Sequence, residues 1–142
     1  MTRRARGLPP LPFVSSFLEL NVRTYVRCNG MPGVYFFTLE ASSQLAVTAA
    51  RTAFGLPYSR AQMSMRHEGD WITYASERDD GTASFRGRYR PTGVVAAPVA
   101  GTLEHFLTER YALMNDAAGD VTHVQIHHLP WPLQSAEADI EL

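Results

Sequence analysis

Glu19-Leu20-Asn21-Val22-Arg23-Thr24-Tyr25-Val26 alternates strictly. Side chains along a strand project to opposite faces with period two. Glu19, Asn21, Arg23 and Tyr25 therefore share one face, and Leu20, Val22 and Val26 share the other. The stretch predicts a half-buried strand, but the face that should be bland surface carries an acid, an amide, a cation and a phenol. Working outward, the strand extends over Phe17–Cys28, and Asn29-Gly30-Met31-Pro32 turns the chain into a second strand over Gly33–Leu39. Ser42 or Ser43 caps a helix whose body is Gln44–Phe54, with Gly55 as its left-handed terminator and Pro57 barring continuation.

Three alternating runs follow, Ala61–His67, Trp71–Glu77 and Ala83–Arg90, separated by His67-Glu68-Gly69-Asp70 and Asp79-Asp80-Gly81. That pattern suits an antiparallel meander. Pro91–Ala100 reads as loop. Leu103, Phe106, Leu107, Tyr111 and Met114 recur at helical spacing behind Gly101-Thr102, which predicts an amphipathic helix over 102–114. Val121–His128 reads as a further strand, and residues 1–12, with Leu8-Pro9-Pro10-Leu11-Pro12, as an extended lead-in. The first helix falls between hairpin units rather than in a βαβ alternation, so the class is α+β on a largely antiparallel sheet.

The 142 residues suit one domain. A net charge of -1 argues against nucleic acid as a partner, because general binding to phosphates needs a basic face. All 13 basic residues are arginine and lysine is absent, which closes chemistry that needs a lysine amine. Arg86, Arg88 and Arg90 alternate along one strand and so stack on one face, as a solvated edge that discourages further pairing rather than a phosphate track. Cys28 is the only cysteine, on the apolar side of its strand, so no internal disulfide can form and a reducing compartment is the simplest inference. Arginines near Met1 are followed by prolines rather than the apolar stretch of a signal peptide, and no run is long enough to span a bilayer. A cytoplasmic protein without membrane contact is the expectation.

Several stretches form a joint pattern: Glu19–Val26, Pro32-Gly33-Val34-Tyr35-Phe36-Phe37, Ala50-Arg51 and Phe54-Gly55-Leu56-Pro57-Tyr58, then Gly101–Tyr111 and His128-Leu129-Pro130-Trp131-Pro132-Leu133. This pattern resembles the YqjF-like family of uncharacterised bacterial proteins, the domain of unknown function 2071, itself similar to the acetoacetate decarboxylases. Family members are usually longer. The resemblance implies that about the first third of the usual domain would precede Gly7 and a hairpin-like stretch would follow Leu142. It further implies an acetoacetate decarboxylase-like fold, in which a curved sheet forms a partly closed barrel covered by two helices, with Glu19 facing inward. In those decarboxylases the stretch similar to Phe17-Leu18-Glu19 carries an active-site glutamate, and the stretch similar to Gly55–Ser59 carries a proline followed by two lysines. The first lysine forms a Schiff base with the keto acid. Tyr58 and Ser59 stand at those two positions here. A phenol cannot form an imine, so a lysine-dependent decarboxylase activity is expected to be absent.

Glu19, Arg23 and Tyr58 make a polar set for a small carboxylate or carbonyl compound, with Arg23 as anchor, Glu19 as acid or base and Tyr58 as donor. Asn21, Tyr25 and His127 are weaker candidates. The competing reading is a structural ion pair between Glu19 and Arg23, which lie about 13 Å apart along one strand. His123 and His127 are separated by a similar distance, and His127 and His128 point to opposite faces, so neither a metal nor another cofactor is expected. Met63 and Met65, with Tyr35, Phe37, Tyr74, Phe85 and Tyr89, read as core. Arg51 and Arg110 read as helix residues bridging inside the fold. The alternative function is a shortened, inactive interaction module, with homo-oligomer formation through exposed sheet edge or apolar surface.

Overall fold

The computed structural model of the chain describes residues 17–117 and 120–141. The lead-in expected over residues 1–12 lies outside them. The elements in chain order are β1 (Glu19–Cys28), β2 (Met31–Ala41), α1 (Gln44–Phe54), β3 (Tyr58–Glu68), β4 (Trp71–Arg78), β5 (Ser84–Pro91), α2 (Leu103–Thr108), β6 (Ala112–Ala117), β7 (Asp120–Gln125) and β8 (Ala136–Glu141). They fall into two compact units. The first is the chain up to Arg60 with Arg110–His128, and the second is Ala61–Glu109 with the chain from Leu129 onward.

In the first unit β1 and β2 form the expected hairpin, but on a tighter turn. Only Asn29 and Gly30 intervene, with φ of 49° and 80°, the left-handed pair that matches the twist of the flanking strands. The pairing slips once: Val22 faces Thr38 and Arg23 faces Phe36, so Phe37 is an extra residue in β2. This bulge inverts the alternation of β2. Val34 and Phe36 before it, and Leu39 and Ala41 after it, are all buried. Phe37, expected in the core, is instead turned outward at 62% exposure. Directly opposed residues share a sheet face. Tyr25 thus sits beside Val34, Arg23 beside Phe36, Asn21 beside Leu39 and Glu19 beside Ala41. The polar side of β1 is the side on which Val34, Phe36, Leu39 and Leu56 cluster, with Tyr25, Tyr58 and Leu113 packed against them.

Ser43 caps α1, its hydroxyl accepting from the Ala46 N–H at 3.3 Å, and Gly55 ends the helix at φ 63° with its N–H donating to the Arg51 carbonyl. The helix buries only Ala46 and Val47. The chain then enters β3 parallel to β2, with Leu39 beside Tyr58, Glu40 beside Ser59 and Ala41 beside Arg60. The first helix is therefore a crossover between parallel strands, contrary to the expected separation from any βαβ unit.

The helix expected over 102–114 stops at Thr108. Residues 112–117 form β6, parallel to β2 through Val34–Leu113 and Tyr35–Met114. Pairing overrides the helical spacing here, and Gly33 makes it sterically possible. A Cβ at Gly33 would stand 2.7 Å from the Ala112 carbonyl oxygen and 2.9 Å from Met114 Cε. β7 pairs antiparallel with β6 and ends at Gln125, so His127 and His128 follow the strand rather than alternate along it.

The second unit contains the meander: β3 from Ala61 onward, β4 and β5, paired antiparallel. It continues with β8, a strand to which the sequence analysis assigns no element. β8 pairs antiparallel with β5, placing Arg86 opposite Glu141, Arg88 opposite Asp139 and Arg90 opposite Glu137. The arginine row is thus interior to the sheet and not an edge. Met65 and Tyr89, expected as core, are 46% and 37% exposed. The sheet is mixed in the first unit and antiparallel in the second, with eight strands and two helices among the described residues.

Candidate functional site

Tyr58 opens β3 beside Leu39, whose partner in β1 is Asn21, whereas Glu19 pairs with Ala41, so Tyr58 and Glu19 lie diagonally across β2, two strand spacings (about 10 Å) apart and offset by two residues along the strand. Leu39 and Ala41, both buried, are the β2 residues on the same face, and the phenol reaches diagonally past them. Tyr58 Oη donates to Glu19 Oε2 at 2.7 Å, and Asn21 Nδ2 donates to Glu19 Oε1 at 3.3 Å. Both carboxylate oxygens are engaged, one by a neighbour two residues along the strand and one by a residue 39 positions away.

This pairing fixes the proton. Partial burial raises the Tyr58 pKa, and the hydrogen bond to Glu19 and its negative charge push in the same direction. At neutral pH Tyr58 is a committed donor and Glu19 its acceptor. Glu19 is exposed while Tyr58 is half-buried at the margin of the apolar cluster, so the pair has one dry side and one wet side.

Arg23 and Tyr25 form an adjoining group on the same strand face. Arg23 Nη2 donates to Tyr25 Oη at a long 3.4 Å, and the guanidinium stands 5.7 Å from the ring centroid. Arg110 approaches the same ring to 5.8 Å. Arg110, expected on a helix, lies beyond the end of α2, in the connection to β6. Its carbonyl oxygen is 3.4 Å from His128 Nε2. His127 is set apart, edge-on to Tyr111 at 6.4 Å, while His128 stacks on that ring at 4.7 Å. The structure thus unites Glu19, Asn21 and Tyr58, places Arg23 with Tyr25, and puts His127 in a third group.

Two residues escaped the sequence reading. Asn115 Nδ2 donates to the Gly55 carbonyl at 2.7 Å and the Phe54 carbonyl at 3.3 Å, tying β6 to the end of α1 just before the chain delivers Tyr58. Glu40, only 4% exposed, lies on the opposite sheet face beside Leu20 and Ser59. Neither has a signature in periodicity, because each role arises from pairing between distant segments. Among the described residues no three of His, Cys, Asp and Glu converge to hold a metal. No helix of the described residues is long and apolar enough to cross a membrane.

A family model described as an uncharacterized conserved protein matches residues 2–141. The uncharacterized protein YqjF of Bacillus subtilis (strain 168) is 46% identical over 140 residues, an alignment that covers 98% of this chain and 58% of that protein. The chain therefore spans less than two thirds of the length of this relative. No solved structure matches it.

Proposed function

This chain belongs to the DUF2071 family of uncharacterised conserved proteins, and from that premise we propose that its Glu19–Tyr58 pair serves a small carboxylate or carbonyl compound without covalent imine chemistry. The observation that carries the reading is the 2.7 Å hydrogen bond from Tyr58 Oη to Glu19 Oε2 beside an apolar cluster. A ligand carbonyl that takes the place of Glu19 as acceptor would receive the single Tyr58 hydrogen bond and leave the carboxylate a few ångströms away as a base, which suits polarising a carbonyl oxygen while a nearby proton is drawn off. Arg23 supplies the positive charge on the same face, able to grip a carboxylate in two-point fashion. A likeness to the acetoacetate decarboxylases, though without a closed barrel among the described residues, belongs to this proposal, with Tyr58 and Ser59 occupying the places of that family's paired lysines.

The test is a thermal-shift screen over small carboxylic acids, keto acids and aldehydes, because a ligand that binds only the folded state raises its melting temperature by mass action. A hit is expected to be lost in Glu19→Gln and weakened in Tyr58→Phe. A hit unchanged in both variants, or a screen without hits, overturns the reading and favours an interaction module.

A further inference from the structure

We propose a second ligand site, on the charged face of the sheet in the second unit, that takes a small zwitterion carrying a carboxylate and an ammonium group. The register places Ser64, Ala75, Arg86 and Glu141 in one row across β3, β4, β5 and β8, and Gln62, Glu77 and Ser84 in the next. Three of the central positions, Ser64, Ala75 and Ser84, carry side chains of one or two heavy atoms. Around them stand Gln62, Glu77, Arg86 and Glu141. Short residues ringed by long ones leave a hollow, and a hollow of about 580 Å³ lies there, within the range of small-molecule sites.

What marks the hollow as more than a dent is the state of its arginine. Arg88 and Arg90, two and four residues along β5, are both paired with a carboxylate. Arg88 donates to Asp139 from Nε and Nη2 at 3.2 and 2.9 Å, Arg90 pairs with Glu137 at 2.7 Å, and both guanidiniums stack on Trp71 at 4.8 and 5.1 Å. Arg86 faces Glu141 in the same ladder, yet among the described residues it makes no hydrogen bond or ion pair. It also borders the neighbouring recess beside Thr73 and Arg88. The ladder fixes the backbone beneath Arg86 and leaves its five donors for something else.

The charge of the lining chooses the ligand. One arginine and two glutamates make a net -1, which disfavours a plain anion. A molecule with a carboxylate for Arg86 and an ammonium for Glu77 or Glu141 pairs the arginine and one of the glutamates, and Gln62, Ser64 and Ser84 supply neutral donors and acceptors for a polar side group. A free amino acid has this chemistry.

Calorimetric titration at low salt with L-serine, L-lactate and ethanolamine separates the possibilities, since the second lacks the ammonium and the third lacks the carboxylate. The expected result is saturable binding of serine, with lactate and ethanolamine weaker by about tenfold or more. Arg86→Gln, which removes the anchor, and Ala75→Leu, which fills the hollow, are each expected to weaken serine by about tenfold or more. Arg90→Gln, outside the hollow, is expected to leave it unchanged. Should Ala75→Leu fail to fold, Ser84→Leu fills the same space from the adjacent strand. Absence of saturation up to roughly 20 mM, equal binding of lactate, or indifference to a folded filling variant overturns the proposal.

Discussion

Tyr58 holds its proton because burial, a carboxylate partner and that partner's charge all oppose its ionisation. Since the folded-state pKa is raised, the two states bind the same number of protons at neutral pH. Above about pH 10 the unfolded chain releases this proton first. The contribution is therefore fully present below pH 10 and is lost as pH rises further. Tyr58→Phe is expected to cost about 1 kcal/mol at pH 7 through the lost hydrogen bond and to flatten the fall in stability between about pH 10 and pH 12, as read by denaturant titration. Glu19→Gln keeps an acceptor but removes the charge. The expected result is one tyrosine titrating at lower pH in an ultraviolet absorbance titration, though still above an ordinary phenol because burial is the largest cause. At Gly33 the limit is steric. A methyl group would meet a backbone oxygen at 2.7 Å, and that oxygen belongs to the strand paired with β2. Gly33→Ala is expected to lower the unfolding free energy by about 1–3 kcal/mol, visible as a shifted urea midpoint.

Among the elements, those with a local signature were legible in the sequence and those defined by a distant partner were not. The β1–β2 hairpin, α1 with its serine and glycine caps, and the three-strand meander follow from alternation, capping and turn residues that lie within a few positions of one another. β6 was hidden because Tyr111 and Met114 continue a helical spacing, and only the approach of Gly33 makes a strand the better solution. β8 did leave a signal: Glu137, Asp139 and Glu141 alternate in counterphase with small or apolar residues, matching Arg86, Arg88 and Arg90 in spacing and opposing them in sign. The pairs at Arg88–Asp139 and Arg90–Glu137 are well exposed, with side-chain exposures of 55%/69% and 41%/56%, so they set register more than they add stability. A double-mutant cycle on Arg88 and Asp139 is expected to return a coupling of about 0.2–1 kcal/mol that shrinks in 1 M salt. A coupling that persists in high salt would mean that the two hydrogen bonds from Arg88 to Asp139, and not screened charge, fasten β8 to β5.

For the molecule as a whole, the candidate site was legible as residue types on one strand face, but its grouping was not. Alternation put Glu19, Asn21, Arg23 and Tyr25 on one side, and likeness to a longer family singled out Tyr58. The hydrogen bond that joins Tyr58 to Glu19 depends on the crossover that lays β3 parallel to β2, and no local rule announces that crossover. Composition, by contrast, speaks for the whole chain at once. With 13 arginines and no lysine, no side chain carries a primary amine, and arginine stays protonated and delocalised at any usable pH. An imine with a keto acid requires a neutral primary amine as nucleophile. Treatment with acetoacetate and borohydride is therefore expected to leave every internal peptide at its unmodified mass, with reductive addition confined to an N-terminal amine. Peptide mass spectrometry reads this directly, and an adduct on the peptide that contains Tyr58 would refute the non-covalent chemistry assigned to that residue. A clean result, together with a thermal shift for a keto acid that depends on Glu19, would place the chain among proteins that bind such compounds by hydrogen bonds and charge alone.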